Sequence, residues 1–277
     1  MAGITLGFVL LQSTVVGQDP EYITRNAIKI DQQDSLSTNL YDSISRYKLI
    51  MVGEVHGTKE PAQFVRSFVE LLIRNGNVVQ VGLEIPSKAM NDFTRSSPDS
   101  AIYAATFFKT RHNDNRASRD WVDLIVRLKD IPDVHFFYYD VNPGDIKSPA
   151  DRDSLMYTKI KKCIQLHPTW KTITLGGNVH NMLLPYYGDI KMGLYLYTDS
   201  ELNLSNSILS IAHGYTVGSM LDDSGRIVKV QRDGDSPFEK TGYENYLFIY
   251  PPDSGHKYNG IYFTRKVTAS PLVYNLK

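Results

Sequence analysis

Tyr47-Lys-Leu-Ile-Met-Val-Gly-Glu54-Val-His56-Gly-Thr58 is the stretch that decides the fold. The run from Tyr47 to Val52 reads as a buried strand, and it delivers Glu54 and His56 directly after it. In open α/β sheets ligands gather outside the carboxyl ends of the strands. The arrangement recurs in Thr172-Ile-Thr-Leu-Gly-Gly-Asn-Val-His180, where a strand-like stretch ends in glycines and then a histidine. Between the two, Val78-Val-Gln-Val-Gly-Leu-Glu84 ends an apolar run on a carboxylate. Three such strand ends would bring Glu54, His56, Glu84 and His180 to one edge of a parallel sheet, where acid/base or metal chemistry becomes possible.

Outward from these motifs, apolar strands alternate with amphipathic segments. A strand is expected near 47–53, a helix near 60–75, a strand near 78–84 and helical segments to about 130. The strand Val134-His-Phe-Phe-Tyr-Tyr139 follows, and a helix near 151–166 leads into the strand from Thr172 to Gly176. Phe64, Phe68, Leu71 and Leu72 recur at helical spacing, and Asn75-Gly76 supplies a stop. This rhythm implies crossover connections and an α/β class: a mainly parallel central sheet flanked by helices. Past Met192 the pattern changes to short strands with turn signals at Asp222-Asp-Ser-Gly225 and Asp233-Gly234, which reads as added C-terminal strands. Pro251-Pro252 and Ser254-Gly255 mark a loop before a last strand, Gly260 to Arg265.

The 277 residues suit one domain, taken here as 18–277. Lys plus Arg equals Asp plus Glu at 30 each, so no global field draws the chain to nucleic acid or an anionic membrane. The 18 Tyr and 11 Phe suit either a pocket for a large organic ligand or a sheet core that needs no ligand. Cys163 is the single cysteine, which excludes an intramolecular disulfide and a Cys-rich zinc site, and it is expected to be a buried, inert thiol on a helix. Ile4 to Val16 is mostly apolar and precedes small residues, so residues 1–17 read as a signal peptide and the protein as exported, periplasmic or secreted. No run approaches the roughly 20 apolar residues of a membrane span.

Residues two apart at a strand end point to the same side, so Glu54 and His56 can share a pocket. A carboxylate beside a histidine fixes its tautomer and raises its basicity, which suits a general base acting on water. The competing role is a turn in which Glu54 caps a helix and His56 only packs. Glu84 and His180 at comparable positions weigh against that role, since burying two acids and two histidines together is costly. Such carboxylates call for an arginine. Arg152, in Asp151-Arg-Asp-Ser-Leu-Met156, and Arg116, in Arg111-His-Asn-Asp-Asn-Arg116, are the candidates for holding a substrate oxygen; the alternative for each is a solvated charge. His112, His256, His167 and His135 carry little signal, and His213 reads as a core or edge histidine. There is no Gly-x-Ser-x-Gly elbow, Walker loop, Gly-x-Gly-x-x-Gly or His-Glu-x-x-His, which leaves water activation by a histidine as the simplest chemistry.

Taken in order, Gly53-Glu54-Val-His56-Gly57-Thr58, Gly82-Leu-Glu84, Arg152-Asp153-x-x-Met156 and Gly177-Asn-Val-His180-Asn181 resemble the erythromycin esterase-like proteins. That group shares a superfamily with the ChaN haem-uptake and Tiki/TraB proteins. The resemblance covers residues 47–220 and implies a hydrolase with a deep cleft. His56 would activate water, Glu54 and Glu84 would shape its charge, and Arg152 and His180 would contact the substrate. The leading expectation is an exported, metal-independent hydrolase of a small-molecule ester or lactone. The chain is shorter than the macrolide-inactivating esterases, which argues against a macrolide. One alternative is a metal-dependent hydrolase or peptidase of the Tiki type, with Glu54, His56, Glu84 and His180 as ligands of a divalent metal. Another is a non-enzymatic protein that binds haem.

Overall fold

One sheet runs through the computed structural model, which describes residues 19–30, 38–90, 96–110, 115–146, 148–222, 224–232, 236–252 and 254–275. The signal-peptide reading of residues 1–17, the Asp233-Gly234 turn and His112 lie outside the described residues. The chain begins with helix α1 (Pro20–Asn26), strand β1 (Ile28–Lys29) and helix α2 (Thr38–Ile44), then enters β2 (Leu49–Glu54). Helix α3 (Glu60–Arg74) leads to β3 (Val79–Pro86), and the short helices α4 (Asp99–Ala104) and α5 (Thr106–Lys109) precede α6 (Arg119–Leu128). Then follow β4 (Val134–Asp140), α7 (Pro149–Leu166), β5 (Lys171–Gly177), α8 (Met192–Thr198) and β6 (Ile208–Leu221). The chain closes on β7 (Ile227–Gln231), β8 (Asn245–Ile249) and β9 (Gly260–Val267).

The strand order is β1-β8-β9-β6-β2-β5-β3-β4, with β7 paired to β6 off this path. From β9 to β4 every neighbouring pair is parallel; β1, β8 and β7 pair antiparallel. The α/β class with a mainly parallel sheet is therefore what the chain adopts. The added C-terminal strands are present, β7 and β8 with five residues each and β9 with eight, and β6 precedes them. After Met192 comes a helix, and β6 is 14 residues long and lies between β2 and β9, inside the sheet. Gly218 in this strand is no break: its φ is 144°, and the backbone of Val267 passes where a Cβ would sit.

Helices cover both faces, and the period-two alternation of the strands sorts the core between them. On one face Ile50, Val52, Val81, Leu83, Ile173 and Leu175 pack with apolar residues of α3 and α6, including Phe68 and Trp121. On the other, Leu49 and Met51 pack with Met156, Ile160 and Ile164, spaced four apart along α7, and with Met192 and Leu196 of α8. Each such fully buried side chain stabilises the fold by roughly 1.5–3 kcal/mol. Among the described residues no helix is long and apolar enough to cross a membrane. Cys163 lies on α7 as expected but is only half-buried, and burial raises its thiol pKa. His213 is a core histidine on β6 whose pKa is lowered to about 3 by burial.

Candidate functional site

Strand register brings the motifs together. Glu54 of β2 lies opposite Gly177 of β5, and Gly82 of β3 lies opposite Thr174, so all three strands end at one edge. By the same alternation, Glu54 projects into the α3/α6 layer and Glu84 into the α7/α8 layer. The site therefore has two halves, which meet at Gly176-Gly177.

The first half is built around His56. Beyond β2 the chain turns at Gly57, whose φ of 82° and approach to the Leu221 backbone leave no room for a side chain. The Thr58 hydroxyl donates to the Val55 carbonyl at 2.7 Å and closes this turn. His56 Nδ1 then lies 2.5 Å from Glu54 Oε1, and the buried Trp121 indole donates to Glu54 Oε2 at 2.9 Å. With Nδ1–H donating to the carboxylate, the Nε2 lone pair is free, and among the described residues nothing bonds it. The ring is 27% exposed, which leaves Nε2 reachable by solvent. Burial by itself would lower the pKa of His56. The hydrogen bond and charge of Glu54, with help from Glu84 and against Arg116, outweigh it and hold the pKa above 6.5.

The second half centres on Glu84, which is 1% exposed. Its Oε2 accepts the Gly177 amide at 2.7 Å, and its Oε1 meets Arg152 Nη2 at 2.5 Å and Arg116 Nη1 at 3.0 Å. The same arginines hold Asp140, at 3.0 Å from Arg152 Nε and 2.7 Å from Arg116 Nη1. Two carboxylates and two guanidiniums thus balance in charge. Burial opposes ionisation of Glu84, but Arg116 first, then His180, His56 and Arg152, hold its carboxyl far below the usual range. A capping box between Ser148 and Asp151 starts α7 and sets Arg152 and Asp153 in its first turn. Successive helical residues point about 100° apart. Arg152 therefore reaches Glu84 and Asp140, while Asp153 Oδ1 meets His180 Nδ1 at 2.7 Å and accepts the Met192 amide at 3.0 Å. Arg152 Nη1 lies 3.3 Å from His180 Nε2.

Glu54, His56, Glu84, His180, Arg116 and Arg152 are all brought to this edge, at different depths. Arg116 is 7% exposed, whereas the side chain of Arg152 is 28% exposed. Arg116 is therefore not a solvated charge; it is buried against Glu84 and Asp140 and neutralises them. Asp140, Asp153 and Trp121 were given no role from sequence. Asp140 carried a readable signal, since it ends β4 as Glu54 and Glu84 end or nearly end theirs. Of the other described histidines, His135 and His167 stack on Trp170, and His256 lies tilted against Tyr250.

The donor set does not fit a divalent metal. Both oxygens of Glu84 are engaged by cations or an amide, both oxygens of Glu54 by His56 and Trp121, and His180 uses its two nitrogens on Asp153 and Arg152. Among the described residues no three His, Cys, Asp or Glu are grouped to hold a metal ion. The guanidiniums occupy the place a cation would take beside Glu84 and Asp140.

The paired glycines are a packing requirement. A Cβ at Gly176 would collide with the Tyr139 hydroxyl and come within 2.6 Å of Glu84 Oε2, both fully buried. At Gly177 it would lie 3.0 Å from His56 Nε2 and 3.6 Å from His180 Cδ2, so one methyl group there would touch both rings. Gly176→Ala is expected to destabilise the protein by about 1–3 kcal/mol through overpacking. Urea denaturation measures it, and a wild-type midpoint would contradict the packing described.

No family model and no curated protein matches the sequence. Solved structures match the fold. A Bacillus cereus protein from structural genomics is 12% identical over 91% of this chain and 98% of its own, with a TM-score of 0.68. A succinoglycan biosynthesis protein is 11% identical over 95% of this chain and 99% of its own, with a TM-score of 0.60. An erythromycin esterase, a histidine-to-asparagine mutant in its open conformation, is 10% identical over 87% of this chain and 97% of its own, also with a TM-score of 0.60. At these identities the likeness is one of fold.

Proposed function

We propose that this chain, which has the fold of an erythromycin esterase, is a metal-independent hydrolase that cleaves an ester or lactone with water activated by His56. The observation that carries the reading is the Trp121–Glu54–His56 relay, which orients a raised-pKa imidazole and leaves its Nε2 free beside Gly177. In this reading Nε2 accepts a proton from water as the oxygen attacks the carbonyl carbon. The imidazolium that forms is stabilised by the buried charge of Glu54, while the Glu84–Asp140–Arg116–Arg152 group is already balanced. The half-exposed guanidinium of Arg152 is aimed by Glu84 and Asp140 and is placed to receive the developing oxyanion. His180, held by Asp153, flanks the same space. His56 then returns its proton to the leaving alkoxide, and acid and alcohol depart.

The pH profile tests this directly. His56 acts as a base only when neutral, and its pKa is raised, so kcat/KM should climb with pH through a midpoint above 6.5. In Glu54→Gln the hydrogen-bonding carboxylate is gone and burial prevails, so the midpoint should move to lower pH. The plateau should fall on the order of 10²-fold, since the imidazolium loses its counter-charge. A Glu54→Gln profile that overlays the wild type would remove the relay from the mechanism.

A further inference from the structure

Next to the site lies a cavity that the mechanism does not use. It has a volume of about 610 Å³ and opens where Asn178 and Val179 follow Gly177. Its walls mix polar and apolar surface, and the rings of Tyr215, Phe238, Tyr258 and Phe263 are prominent among them, with Ile261 beside them. A volume of this size lies within the range of small-molecule sites, which is roughly 300–1,000 Å³.

Three features tie it to the strand ends. Asn178 and Val179 join His180 to Gly177, where an added Cβ would lie 3.0 Å from His56 Nε2. The Asn178 side chain is pinned to β6: its Oδ1 accepts the His213 amide at 2.9 Å and its Nδ2 donates to the His213 carbonyl at 3.1 Å. The Tyr258 hydroxyl donates to the Asn178 carbonyl at 3.0 Å. The segment that the cavity shares with the site is therefore held in place. The cavity's charged lining residues, Arg232 and Glu239, are of opposite sign, and Arg232 stacks over Tyr215 at 4.7 Å. Selection there rests on the flat aromatic rings rather than on net charge.

We propose that this cavity is the specificity subsite of the enzyme and takes a flat aromatic substituent on one side of the scissile ester; the inference rests on the hydrolase reading above. Gly214 sets its capacity. A Cβ there would make ordinary contacts with Phe263 at 3.5 Å and Ile261 at 3.8 Å, two of the cavity's walls, and Gly214 is not among the glycines of positive φ. A larger side chain at this position fills the cavity without strain at the backbone.

The test compares methyl 2-naphthoate and 2-naphthyl acetate with ethyl acetate, in the wild type and in Gly214→Leu. Wild type should prefer an aryl ester, and Gly214→Leu should lose about tenfold in kcat/KM on that ester while ethyl acetate is unchanged. Gly214→Ala, one methyl larger, should show a smaller loss in the same direction, which guards against misfolding of the leucine variant. An equal loss on all three esters, or none on any, overturns the subsite. If no ester is hydrolysed, the hydrolase reading fails by itself. Calorimetric titration with 2-naphthol then decides the cavity separately: binding to wild type that is weakened in Gly214→Leu supports it, and equal binding or none overturns it.

Discussion

His56→Asn should lower kcat on any accepted ester by about 10²–10⁴-fold, the usual contribution of a positioned general base. The loss should appear in kcat more than in KM, because Nε2 acts on water and the substrate is held by other groups. Asparagine is the informative replacement, since its amide can still donate toward Glu54 Oε1 and keep the buried carboxylate from losing a partner. Near-UV circular dichroism and the thermal midpoint should stay close to wild type, because the His56 side chain is 27% exposed and the Trp121–Glu54 bond persists. Undiminished turnover would mean that another group activates the nucleophile.

The largest effect on stability should come from Arg116→Met. This arginine bonds Glu84 through both its backbone carbonyl and its side chain, and it bonds Asp140 as well, all in a place that water barely reaches. Removing one partner of a buried ion pair typically costs about 3–5 kcal/mol, because the other charge stays buried. Arg152 still touches both carboxylates, so a folded variant is expected rather than an unfolded one. The sign of the pH dependence follows from Glu84. Its folded pKa is depressed, so its contribution is present above the unfolded carboxylate value near 4.3 and is lost as pH falls toward the folded value. The gap between wild type and Arg116→Met should therefore be widest near pH 7 and shrink below about pH 4. Urea unfolding at the two pH values measures it. A gap under about 1 kcal/mol at pH 7 would place Arg116 among ordinary surface ion pairs.

Much of the site is legible in the chain because Glu54, His56, Glu84 and His180 sit at or just past the ends of strands. Apolar runs ending in Glu54 and Glu84, and a run ending in Gly176-Gly177, announce a parallel sheet and put the ionisable groups at one edge. Which face each acid takes is also in the alternation, once the strands are known. Depth is harder. Arg116 sits among polar residues, Arg111-His-Asn-Asp-Asn, a context that suggests solvent, and only the fold carries it beneath Glu84. Asp153 lies one residue from Arg152, and helix geometry turns the two side chains about 100° apart, but nothing local says which partner each meets. In the C-terminal third the added strands are legible but the length of β6 is not, since Gly214 and Gly218 interrupt an apolar run that forms a 14-residue strand. There, tertiary pairing with β2 and β9 overrides local propensity. The donor types that suit a metal are visible in sequence, whereas their engagement by arginines and a backbone amide is not.

The most direct test of water activation by His56 is the hydrolysis of a chromogenic aryl ester by chelator-treated wild-type protein, run beside His56→Asn. Steady turnover after removal of metal, together with its loss in the variant, is the expected result. Turnover that vanishes on chelation and returns with a divalent metal, or equal rates in the two proteins, would contradict the account.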